Sequence, residues 1–64
     1  MERMDKKMNE TFGTNLQFYR RKMELTQEQL AERLDVSRQS ISKWEAGAAF
    51  PEMDKLLKMC EMFS

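Results

Sequence analysis

The stretch LTQEQLAERLDVSRQSISKWEAG, Leu25 to Gly47, decides the fold. Thr26 suits a helix N-cap, because its side-chain oxygen can accept from a backbone N–H that the first turn leaves unsatisfied. Gln29, three residues on, completes a capping box, and Leu25 and Leu30 stand where a hydrophobic staple sits. A helix therefore runs from Gln27 to Leu34 and buries Leu30, Ala31 and Leu34. The device then repeats. Ser37 caps a second helix, Val36 precedes it, and Ile41 takes the staple position. Ile41 and Trp44 face inward, while Gly47 offers a left-handed stop. Only Asp35 and Val36 separate Leu34 from the cap, so the two short helices meet at a fixed angle as a helix-turn-helix.

Upstream, Phe12, Leu16, Tyr19 and Met23 recur at spacings of 4, 3 and 4, which predicts a helix from about Thr11 to Met23 with Thr11 as its cap. Arg20, Arg21 and Lys22 fall in its last turn, where cations suit the carbonyl end of the helix dipole. Residues 1–10 are a polar lead-in with Met1, Met4 and Met8 at helical spacing, expected to be frayed. Downstream, Pro51 favours a helix start. Met53, Leu56, Cys60 and Phe63 follow at spacings of 3, 4 and 3, which puts Cys60 in the core. Met59 and Met62 suit either gap-filling in that core or a contact with a second subunit. Phe50 suits either an exposed loop or a lid. There is no convincing strand, repeat or linker. The expectation is an all-α, four- to five-helix bundle with residues 11–64 as its single domain.

Composition narrows the function classes. At 64 residues, 41% hydrophobic and 34% charged, the chain fits a small helical domain and not a disordered or collagen-like one. Cys60 is its lone cysteine and it has no His, so an internal disulfide and a metal site are not expected, and a reducing, cytoplasmic setting is. No apolar run approaches the ~20 residues that span a bilayer. The charged start MERMDKKMNE lacks the apolar core of a signal peptide. Without His, a second Cys or a Gly-rich phosphate loop, the sequence is not that of an enzyme and needs no cofactor. Glu28 and Glu32, one turn apart, are ordinary solvated surface.

Eleven basic and eleven acidic side chains cancel. A basic face must therefore come from segregation of charge, not from an excess. The second helix of the pair supplies such a segregation. With Ile41 and Trp44 turned inward, Arg38, Gln39, Ser42 and Lys43 face outward, and no acid stands between Ser37 and Trp44. Arg and Lys match guanine O6 and N7, and Gln matches adenine N6 and N7. Ser37, Ser40, Thr26 and Gln27 lie at the two helix starts, where side chains and unpaired amides can hold phosphate.

The same residues resemble the Xre/Cro/CI-type, lambda-repressor-like helix-turn-helix of phage repressors and bacterial regulators, from Phe12 to Phe63. The resemblance rests on Gln27 opening its helix, small Ala31 at the helix contact, the core pair Ile41 and Trp44, and then Glu45 and Gly47. It implies a five-helix bundle that inserts its third helix into the major groove. It also implies a homodimeric repressor on a palindromic double-stranded operator, with Gln27 on a phosphate and Arg38, Gln39, Ser42 and Lys43 on bases. It pairs Arg20 with Glu45, tying the first helix to the end of the third. Departures are Asp35 and Glu24 where the family often has Gly, and the run Ala46 to Pro51, bare of the Asn and basic residues common there. The family continues past Phe63 into a fifth helix, which implies that the last helix is missing here. The competing class is a protein-interaction module of the same fold, favoured by the zero net charge and opposed by the acid-free face.

Overall fold

Both caps predicted for the helix-turn-helix form. In this computed structural model, which describes residues 4–63 and only the backbone course of 4–10, four helices follow in order: α1 (Met4–Lys22), α2 (Gln27–Leu34), α3 (Arg38–Glu45) and α4 (Met53–Phe63). Thr26 Oγ1 accepts from the Gln29 N–H at 3.0 Å, and Gln29 Oε1 accepts from the Thr26 N–H at 2.8 Å, so the capping box is complete. Ser37 Oγ accepts from the Ser40 N–H at 3.2 Å to start α3.

The first three helices stop in one way. Glu24, Asp35 and Gly47 each take a left-handed backbone, with φ of 61°, 59° and 78°. The next residue's N–H then reaches back five positions, from Leu25 to Arg20, Val36 to Ala31 and Ala48 to Lys43, at 3.0, 3.0 and 2.9 Å. This closes carbonyls that a helix end leaves open.

α2 and α3 pack on each other through Leu30, Ala31, Leu34, Ile41 and Trp44, with Leu16 of α1 and Met59 of α4 completing the core. Leu25 and Val36, the outer members of the two staples, lie partly buried against it. α1 crosses α3 at Gly13. A Cβ there would stand 2.6 Å from the carbonyl oxygens of both Trp44 and Glu45, so only glycine allows the approach.

Three expectations change. α1 begins at Met4, so Thr11 is an exposed residue inside a helix and not a cap. Residues 4–10 continue that helix; Met1 and the side chains of Met4 and Met8 lie outside the described residues. α4 is rotated from its expected phase: Met59 is 3% exposed, whereas Cys60 is exposed and Met53 is 68% exposed. Met62 also packs against the core. Phe50 combines its two expected roles, half-exposed with its ring 4.8 Å from that of Phe12.

Candidate nucleic-acid interface

α3 is eight residues long, about 12 Å at 1.5 Å per residue, close to the width of the DNA major groove. Its inner side is committed, since Ile41 and Trp44 are buried. Its outer side is open: Arg38, Gln39, Ser42 and Lys43 are all exposed. No acid lies in its first turn, and its last turn carries Lys43. The four residues expected to read bases thus share one accessible, cationic and hydrogen-bonding surface.

The residues expected at phosphates stand differently. Thr26 and Ser37 are exposed, but their side-chain oxygens already accept backbone amides as caps. The Thr26 hydroxyl keeps its hydrogen for an incoming acceptor. Ser37 and Ser40 hydroxyls lie 3.1 Å apart, and Ser40 is half-buried. Gln27 is half-buried, with Nε2 donating to Glu45 Oε1 at 3.0 Å. The backbone N–H groups of Gln27 and Glu28 have no acceptor within their own helix, as in any first turn.

The ion pair implied by the resemblance forms. Arg20 Nε meets Glu45 Oε2 at 2.6 Å and Nη2 meets Oε1 at 3.1 Å, a two-pronged contact between α1 and the end of α3. Nη1 of Arg20 also donates to the Leu25 carbonyl at 2.9 Å, beside the cap of α2. The two side chains are only 11% and 4% exposed, so this is a nearly buried pair. Breaking it from one side is expected to cost ~3 kcal/mol, because the remaining charge has no water to turn to.

Two features escaped the sequence. Gly13 was not singled out, although a lone glycine inside a helical pattern is the usual mark of a close packing contact. The Gln27–Glu45 hydrogen bond had no local signal, since it joins positions 18 apart. Elsewhere, an open groove of about 320 Å³ lies between α1 and α4, among Leu16, Tyr19, Leu56, Met59 and Phe63. Among the described residues no cluster of His, Cys, Asp or Glu is placed to hold a metal, and no helix is long and apolar enough to cross a membrane.

Two capped helices at a fixed angle, with an acid-free outer face and a nearly buried ion pair behind it, define a helix-turn-helix domain of the Xre type. The chain belongs to the HTH_3 helix-turn-helix family, which it matches over residues 16–64. It is also 51% identical over 53 residues, 83% of its length, to the "HTH-type transcriptional activator BcrR" of Enterococcus faecalis. The matched part is 26% of that relative, so the chain spans about a quarter of it. The family description is of a helix-turn-helix, and this relative is named a transcriptional activator.

Proposed function

We propose that this domain binds double-stranded DNA sequence-specifically as part of a transcription regulator, with α3 in the major groove. The observation that carries this is the division of α3: Ile41 and Trp44 buried, and Arg38, Gln39, Ser42 and Lys43 exposed together without an acid among them. In this reading those four side chains contact base edges. Thr26, Gln27, Ser37 and Ser40 hold the phosphates that flank them.

A homodimer fits best, because two copies of an eight-residue helix read more sequence than one and a two-fold pair matches a palindromic operator. Its two recognition helices enter successive major grooves about 34 Å apart. The likeness to phage repressors pointed to repression, whereas the relative BcrR is named an activator. Groove contacts are the same for either sign, which depends on where the bound site lies relative to a promoter.

Selection of bound sites from random duplex DNA tests the proposal. The expected result is a palindromic motif with half-sites about one helical turn apart. In the same selection Arg38→Ala relaxes preference at one base position per half-site, by ~1–3 kcal/mol. No enrichment of any duplex, together with capture of a protein partner insensitive to salt, would replace DNA binding by the protein-interaction alternative.

A further inference from the structure

Glu45 closes α3, yet its carboxylate is turned inward and three hydrogen bonds reach it. Two come from Arg20 and one from Gln27 Nε2. The guanidinium already neutralises the charge, so the third contact does something else. A carboxamide has two ends of nearly equal shape, one donating and one accepting, whereas a carboxylate only accepts. Gln27 can therefore meet Glu45 only through its nitrogen. That sets the flip of the amide. One N–H of the same nitrogen is left over, beside the unpaired backbone amides that open α2.

We infer that Glu45 is a positioning residue for DNA binding: it holds the Gln27 carboxamide in the orientation that offers its second N–H to a phosphate oxygen. Arg20 cancels the charge that would otherwise repel that phosphate. The inference rests on the DNA-binding reading above, and it makes a prediction of opposite sign to simple electrostatics. Deleting an acid beside DNA should tighten binding if charge alone mattered. Here it weakens it.

The test measures affinity of the full chain for its selected duplex, comparing wild type with Gln27→Met, Glu45→Gln and the double variant. Gln27→Met is expected to weaken binding about two- to tenfold per half-site, the worth of one hydrogen bond, with base preferences unchanged. Glu45→Gln is expected to weaken binding as well, and to add nothing further in the Gln27→Met background. A methylphosphonate at the phosphate nearest the start of α2 should cost wild type more affinity than it costs Gln27→Met, which keeps only the backbone-amide and Thr26 contacts there.

Tighter binding by Glu45→Gln, or an equal loss in both backgrounds, overturns the inference; the latter would mean that Glu45 acts through packing of α1 on α3. If Glu45→Gln fails to fold, the methylphosphonate comparison decides, because Gln27→Met leaves the ion pair intact. Equal penalties in wild type and Gln27→Met then overturn it. A wild-type chain that binds no duplex removes the DNA-binding reading itself, a result distinct from all of these.

Discussion

Leu30, Leu34 and Ile41, all in α2 and α3, are 0% exposed, whereas Tyr19 of α1 stacks on Phe63 of α4 at 5.5 Å and is still 41% exposed. The core of the helix-turn-helix half is enclosed by its own staples and by Leu16 and Met59. The α1–α4 edge is held by ring contacts along an open groove, and Phe18, Met53 and Leu57 stand exposed near or on those helices. A 64-residue chain has little apolar surface to bury, and here it is concentrated behind the outer face of α3. Local opening is therefore expected at α4 before the α2–α3 pair.

The largest effect that probes this contrast is truncation of one leucine from each half. Leu30→Ala is expected to cost ~3–5 kcal/mol and Leu57→Ala under ~0.5 kcal/mol, read from urea midpoints at a common slope. Similar costs would abolish the distinction. Next comes the seam between the halves. Gly13→Ala gains ~1 kcal/mol of helix propensity, but its methyl meets two backbone carbonyls that cannot swing aside. A net loss of ~1–3 kcal/mol in thermal or urea unfolding is expected, and a gain would show that α1 moves freely over α3.

The smallest effect compares the two left-handed turns that lack glycine. Glu24→Gly should stabilise by ~0.5–1 kcal/mol, since a long side chain is strained at φ 61°. Asp35→Gly, inside the helix-turn-helix, should change stability by less than ~0.5 kcal/mol, because Asp tolerates that conformation. Equal gains at both would contradict this difference.

Legibility in the sequence follows the same division. Thr26 with Gln29, and Val36 with Ile41, announce their helices through contacts only three to five residues long, so the caps, the turn and five core residues were readable in order. The outward face of α3 followed, because placing Ile41 and Trp44 inside leaves no freedom for Arg38, Gln39, Ser42 and Lys43. α1 lacked such punctuation: Thr11 looks like a cap, but nothing in residues 4–10 breaks a helix. α4 carries apolar side chains at Met53, Leu56, Leu57, Met59, Cys60, Met62 and Phe63, a wide arc that includes both Met59 and Cys60, so periodicity alone could not choose between them. The tether among Arg20, Gln27 and Glu45 joins three helices, and its third member became visible only in three dimensions.

The inward turn of Glu45 also shapes the field felt at a distance. The outer face of α3 shows Arg38 and Lys43 with no exposed acid, so in a chain of zero net charge the remaining residues hold two more acids than bases. Around that face the local charge is positive, although the chain as a whole is neutral. A polyanion met in solution is drawn first to this face, before contact is made.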